Sequence, residues 1–260
     1  MITMDQYAYE SKIKQWNPIV KMLLSMTTLF TCVLVSNNFF SLLVFFFMAW
    51  ACIGWSGLGW KTFGKLCCIP VGFLIIGVLT IAVSFPQEPV GMVNLAFFSR
   101  YIAITRDGLD LAVNIFLKSM AGVSCLYFLY VSTPVSEILG VFDKMKVPQI
   151  LTEMMMMIYR FIFILINTME QMMVASKSRL GNISYGRQLK TMAAMSTSVF
   201  VNSFKRSTDI LNAMESRGYD GAMVYTQDLK LATSRQKTVL VCYEVCMLSA
   251  AVLLKYVQVV

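Results

Sequence analysis

IVKMLLSMTTLFTCVLVS (Ile19–Ser36), the pair Asn37-Asn38 and FFSLLVFFFMAWACIGW (Phe39–Trp55) follow one another directly. Each apolar run is long enough to cross a bilayer as helix, which takes roughly 17–25 residues. The pair between them is long enough only to turn the chain back. This stretch therefore predicts a helical hairpin in a membrane, where helices and closed barrels alone satisfy every backbone group. Similar runs follow at Leu66–Ser84, Leu111–Val131 and Val239–Tyr256, giving about five spans. Pro70, Gly72 and Gly77 interrupt the third, and bilayer helices tolerate such residues better than soluble ones. Lys118 in the fourth and Glu244 in the fifth are costly in lipid, so each is predicted to face protein or to snorkel.

Composition agrees with this class. The chain is 57% hydrophobic and 14% charged, with a mean hydropathy of +0.66, whereas soluble domains carry about 25% charged residues. At the amino terminus Asp5 and Glu10 mix with Lys12 and Lys14, and Trp16-Asn17-Pro18 leads into a span opened by Lys21. That pattern reads as a retained helix, not a cleaved signal.

The net charge of +8 is unevenly distributed. Lys12 and Lys14, Lys61 and Lys65, and the long segment Ser132–Gln236 fall on one side of the predicted hairpins. The Phe85–Asp110 loop on the other side sets Arg100 and Arg106 against Glu88, Asp107 and Asp110. The positive-inside rule puts the amino terminus and the long basic segment in the cytoplasm. Basic residues scattered along helices, with no recognition module, argue against nucleic acid as a partner. The expected organisation is all-α. Membrane helices occupy residues 1–131, a cytoplasmic or membrane-surface helical coupling domain residues 132–236, and a last transmembrane helix residues 237–260.

Ser132–Gln236 is too long to lack structure of its own. Ser132-Thr133-Pro134 with Glu137 reads as a helix start, Thr133 capping and Pro134 in the first helical position. That helix is predicted to end near Lys146-Val147-Pro148. A long one follows from Gln149 to about Leu180, stopped by Gly181, Asn182 and Ser184. Another starts near Tyr185 and one covers Thr197–Arg217, their continuity left open. Gly218-Tyr219-Asp220-Gly221 makes a turn, and Asp228–Arg235 leads back to the membrane. Leu151–Ile166 is apolar enough to lie partly in lipid, but basic residues on both sides favour a surface helix over a sixth crossing. Met154-Met155-Met156-Met157 cannot share one helical face, so this helix is apolar around much of its circumference. Methionine suits burial among helices and also an adaptable surface for a moving partner.

Several chemistries are missing. The chain has no histidine, the commonest acid–base group and metal ligand. Its seven cysteines lie in or beside spans and read as apolar packing residues. Cys67-Cys68 is too tight for an ordinary disulfide, and Cys242 with Cys246 lacks the further ligands of a zinc site. Gly59-Trp60-Lys61-Thr62-Phe63-Gly64-Lys65-Leu66 has the spacing of a phosphate loop, but Leu66 replaces the hydroxyl that would meet magnesium and no strand precedes it. No cofactor, catalytic or metal-binding residue is therefore assigned to this chain.

Two arginines stand out instead. Ser178-Arg179-Leu180-Gly181 and Ser216-Arg217-Gly218 each close a helical segment with an arginine beside a small residue and a glycine stop. A helix-end cation gains about 0.3–1 kcal/mol from the helix dipole, which would explain each alone. Paired, with small neighbours and abrupt stops, they form charged tips suited to a partner's carboxylates.

With these tips the chain resembles the transmembrane T component of energy-coupling-factor (ECF) transporters, in its CbiQ-like cobalt and nickel group. The resemblance runs from Met4-Asp5-Gln6-Tyr7-Ala8-Tyr9-Glu10-Ser11, Asn17-Pro18 and Lys21, through Tyr127-Phe128-Leu129, Ser132-Thr133, Val147-Pro148 and Tyr159-Arg160-Phe161, to the tips. The family signature, Ala-Arg-Gly or a near variant, corresponds to Ser178-Arg179-Leu180 and Ser216-Arg217-Gly218. Serine replaces alanine in both, and Leu180 displaces the first glycine to Gly181. The resemblance implies a multi-pass subunit of a bacterial or archaeal cytoplasmic membrane. It implies two ABC-type ATPase subunits that receive the tips and a separate substrate-binding membrane subunit that receives the motion. Cobalt or nickel is the implied cargo, and a vitamin-type importer is the alternative. A membrane-embedded enzyme would need a polar cluster such as Glu244, Lys118 and Arg160. A self-contained secondary transporter would need an inverted repeat, and none is visible.

Overall fold

The computed structural model describes residues 3–35, 37–84, 94–97, 100–104, 106–145, 147–179, 181, 183–221 and 233–259. It separates into one unit of Met1–Ile138 with Leu229–Val260 and a second of Leu139–Asp228.

The first unit begins with α1 (Thr3–Glu10), α2 (Pro18–Leu34) and α3 (Asn38–Trp50), and a π-helical turn (Ala51–Trp55) prolongs α3. One device starts both α2 and α3. The Asn17 side chain accepts the Ile19 N–H at 2.8 Å, and the Asn37 side chain accepts the Phe39 N–H at 2.9 Å. Each covers a donor that the helix itself cannot satisfy. After the π turn, Gly57 at φ 79° redirects the chain. α4 (Trp60–Ala82) then runs continuously through Pro70. The phosphate-loop lookalike is therefore mostly helix, with Gly64 and Lys65 inside α4.

α5 (Arg106–Ser132) is the central helix, packing against α1, α2, α3 and α4. Its Ala121, Ser124, Cys125 and Phe128 are at most 1% exposed. Three of them are small, which lets neighbouring helix backbones approach closely, as membrane helices do. Ser25 donates to the Cys125 carbonyl at 2.8 Å, and the Tyr127 hydroxyl donates to the Leu66 carbonyl at 3.0 Å. α9 (Ser234–Val259) closes this unit against α2 and α3. There Phe47 stacks on Tyr243 with ring centroids 4.9 Å apart.

Two features depart from the sequence expectations. Part of the Phe85–Asp110 loop forms a small antiparallel sheet of β1 (Val83–Ser84), β2 (Asn94–Phe97) and β3 (Arg100–Ile104), in the order β1-β3-β2. Tyr101, Ile102 and Ile104 belong to the β-branched and aromatic types that favour strands. The rest of that loop lies outside the described residues, as does most of Asp228–Arg235.

The helix after α5, α6, covers Val135–Lys144. It starts later than expected, because the Pro134 carbonyl accepts its first bond, from Glu137 N–H at 3.0 Å. Thr133 does not cap it: its N–H goes back to the Leu129 carbonyl and its hydroxyl pairs with that of Ser132. Helix ends of this kind are set by which carbonyl is free, a choice propensity alone does not make.

In the second unit, α7 (Gln149–Ser178) and α8 (Tyr185–Glu215) each form one unbroken helix. By length and composition Asn38–Trp55, Trp60–Ile81, Gly108–Ser132, Gln149–Ser178 and Ser234–Leu254 are able to cross a membrane, and Pro18–Leu34 is a shorter apolar helix. Apart from the small sheet the described chain is all-α, with about the expected number of spans. α7, expected at the membrane surface, is long and apolar enough to span.

Candidate functional site: two arginine-bearing helix ends

α7 and α8 are antiparallel, closed at both ends by contacts within their unit. At the join, Thr191 donates to the Gly181 carbonyl at 3.3 Å. At the far end the Tyr219 hydroxyl donates to Glu153 Oε2 at 3.3 Å. Gln149 holds the other Glu153 oxygen at 2.9 Å. Glu153 is buried, an unusual place for a carboxylate unless it is hydrogen-bonded. Burial, and then the Glu153 carboxylate, push the Tyr219 hydroxyl above its ordinary value, so it remains a donor.

The first tip ends α7. Arg179 N–H is shared between the Ala175 and Ser176 carbonyls, and Gly181 N–H reaches the Ser176 carbonyl at 3.0 Å. A side chain on Gly181 would collide with Ser176 Oγ and press on Thr191 Oγ1. Glycine is required here by close approach. The second tip ends α8. Arg217 N–H bonds to the Met214 carbonyl at 3.0 Å and Tyr219 N–H to the same carbonyl at 3.1 Å. Gly218 lies between them at φ 78°, the left-handed position that ends many helices. Glycine is required here by backbone conformation.

The serines beside the arginines behave alike. Ser178 Oγ donates to the Val174 carbonyl at 3.0 Å and Ser216 Oγ to the Asn212 carbonyl at 2.8 Å. Each hydroxyl is folded onto its own helix, leaving its arginine to project. Both arginines are exposed, and among the described residues neither has an ion-pair partner. The two tips stand at opposite ends of the hairpin. Glu153 to Ser178 is 25 residues of helix, about 38 Å at 1.5 Å per residue.

Between α7 and α8 runs a groove of about 590 Å3 lined by Met169, Met173, Met192 and Met195 among others. The sequence singled out Arg179 and Arg217 but not Glu153 or Tyr219 as the anchor of the second tip. The signal was present: a carboxylate one turn into an apolar helix needs a partner. Arg160 is exposed on α7, and Lys118 and Glu244 make no ion pair with each other. Among the described residues no three cysteine or carboxylate side chains are grouped as metal ligands.

A chain of apolar helices long enough to cross a membrane several times is a multi-pass membrane protein. Residues 9–227 match the family CbiQ, cobalt transport protein, and the chain belongs to that family. It is 27% identical to an uncharacterised protein of Methanocaldococcus jannaschii, over 96% of this chain and 93% of that one. It is also 27% identical to the cobalt transport protein CbiQ of Salmonella typhimurium, over 59% of this chain and 68% of the relative. To the energy-coupling factor transporter transmembrane protein EcfT of Exiguobacterium sibiricum it is 29% identical, over 58% and 60% respectively. The chain is a transport component and not an enzyme.

Proposed function

We propose that this protein is the coupling subunit of an ECF-type ABC importer for cobalt or nickel. In this reading it sits in a bacterial or archaeal cytoplasmic membrane between two ATPase subunits and a substrate-binding membrane subunit. The observation that carries the reading is the duplicated tip: two exposed arginines, each beside a serine folded onto its own helix, at opposite ends of one hairpin. Two such ends suit two copies of one soluble partner, each offering carboxylates to a guanidinium fork. Closure of an ATPase pair would then pull on both ends of the hairpin. The methionine-lined groove supplies a surface that re-packs as a membrane partner moves.

The cytoplasmic side is assigned to the tips by the excess of lysine and arginine around them. The exposed Arg160 and Glu170 of α7 support a helix at the membrane surface over one buried in lipid. No cofactor is assigned to the subunit itself, and the metal would be cargo held by the membrane partner. The match to EcfT leaves a vitamin cargo as the second reading.

Co-expression with the two ATPases and the membrane subunit tests this. A complex that takes up cobalt or nickel, and hydrolyses ATP faster when it does, supports the proposal. Uptake of a vitamin without metal uptake moves it to the second reading, and failure of the ATPases to co-purify refutes both. A cysteine placed at Ser184, in a chain freed of native thiols, tests the sidedness. Labelling by an impermeant reagent added outside intact cells would reverse the assignment.

A further inference from the structure

Glu244 stands at the midpoint of Ser234–Leu254, the stretch of α9 able to cross a membrane. That is the depth at which a carboxylate costs most, and such groups persist where something compensates them. Its side chain lines a cavity of about 240 Å3 between α2 and α9, beside Thr27, Thr28, Thr31 and Tyr243. None of these hydroxyls is spent on it. Thr27 donates to the Leu23 carbonyl at 2.8 Å and Thr31 to the Thr27 carbonyl at 2.9 Å. Thr28 and Tyr243 pair with each other at 3.0 Å. Among the described residues Glu244 forms neither a hydrogen bond nor an ion pair. Lys118, the charge within α5 that the sequence singled out, has a partner within the chain.

The rim of this cavity is apolar and open, with Phe30 61% and Leu248 53% exposed. Lipid chains would cover such a rim but offer no donor to the carboxylate that lines it. An apolar rim around one uncompensated polar group is the make-up of a helix–helix contact in a membrane, where a polar side chain is met across the interface. The cavity is smaller than the usual pocket for a small molecule, and suits one inserted side chain.

We propose that the α2–α9 face is the docking surface for a transmembrane helix of the substrate-binding membrane subunit. That helix carries a cation or hydrogen-bond donor at mid-bilayer depth that meets Glu244. This rests on the coupling-subunit reading and adds, to the methionine-lined groove, a transmembrane surface for the same partner.

The test uses the full complex, co-expressed and purified in mild detergent, with photoreactive benzoylphenylalanine in place of Leu248. Irradiation should join the chain to the membrane subunit. Separately, Glu244→Leu should lower the recovered membrane subunit by about tenfold, the scale of one interhelical hydrogen bond, with ATPase recovery unchanged. Glu244→Gln should retain part of the binding, since the amide oxygen still accepts. Cross-links only to lipid or to a second copy of this chain would overturn the proposal, as would wild-type recovery with Glu244→Leu. Those results leave the coupling-subunit reading intact. Loss of both the membrane subunit and the ATPases from the unmutated preparation would refute that reading and this inference together.

Discussion

The ammonium of Lys21 lies 2.8 Å from the carbonyl oxygen of Ser132, tying the first turn of α2 to the last residue of α5. The Ile13 carbonyl is a second acceptor at 3.4 Å, and Glu137 Oε2 is 3.8 Å away. The Lys21 side chain is 1% exposed, so this is a buried cation at a helix carboxyl end, where the dipole favours it. Glu137 Oε2 is itself buried and accepts no hydrogen bond, so Lys21 is its compensation. Breaking one side of such a pair typically costs about 3–5 kcal/mol, because the other charge stays buried and unpaired. Lys21→Met should therefore lower the unfolding temperature in detergent sharply. Lys21→Met with Glu137→Gln should recover part of the loss. Equal stability of single and double variants would show that the pair contributes nothing.

Arg217→Ala should leave the membrane fold intact and disconnect transport from ATP hydrolysis. As a helix-end cation Arg217 contributes at most about 1 kcal/mol to the chain's own stability. Docked against a partner's carboxylate it would be worth about 2–5 kcal/mol. Arg179→Ala should act similarly, and the double substitution should be worse than either alone. Arg217→Lys should rescue only in part, because one ammonium does not reproduce the planar fork. Metal uptake and co-purified ATPase, measured together, decide this. Wild-type values of both for Arg217→Ala would reduce the tip to a capped helix end.

The two glycines should fail differently. At Gly218, φ 78° makes any L side chain cost about 1–2 kcal/mol, but nothing lies within 4 Å of the new Cβ. Gly218→Asn should therefore be tolerated better than Gly218→Val, since asparagine visits this region readily. At Gly181 the obstacle is Ser176, so Gly181→Asn should be no better than Gly181→Ala. Gly181→Ala combined with Ser176→Ala should restore function only in part, because the Ser176 carbonyl oxygen stays 3.0 Å from the new Cβ. Uptake by the five variants separates close approach from backbone conformation.

Tyr219→Phe should loosen the second tip by removing the bond to Glu153. The Tyr219 hydroxyl is held above its ordinary value of about 10. A group with a raised folded pKa contributes fully below its unfolded pKa and loses that contribution as pH rises through the folded one. The tip should thus be insensitive to pH from 6 to 9, and Tyr219 should ionise only above pH 10. The difference in tyrosinate absorbance between wild type and Tyr219→Phe reads this directly. Ionisation of that residue below pH 10 would contradict the Glu153 contact.

The apolar runs, the turn at Asn37-Asn38, the start of α7 after Pro148 and the stop at Gly218 were legible from sequence. Each depends on neighbours within one or two helical turns: hydrophobic length, an asparagine cap, a proline, a residue free to adopt positive φ. The paired arginines were legible for the same reason, as local signatures at helix ends. Other features needed the folded chain. Lys21 and Ser132 are 111 positions apart, and Tyr219 and Glu153 are 66 apart, so no local pattern relates them. The sequence marked Gly181 as a helix stop, but only packing against Ser176 and Thr191 explains why it must lack a side chain. Antiparallel packing of α7 and α8 put the two arginines at opposite ends of one hairpin. Helix periodicity fixes which residues share a face, whereas burial and partner distance depend on how whole helices pack. That is why the sequence alone determined a multi-spanning helical protein with two charged tips, and the tertiary structure decided where those tips point and what holds them.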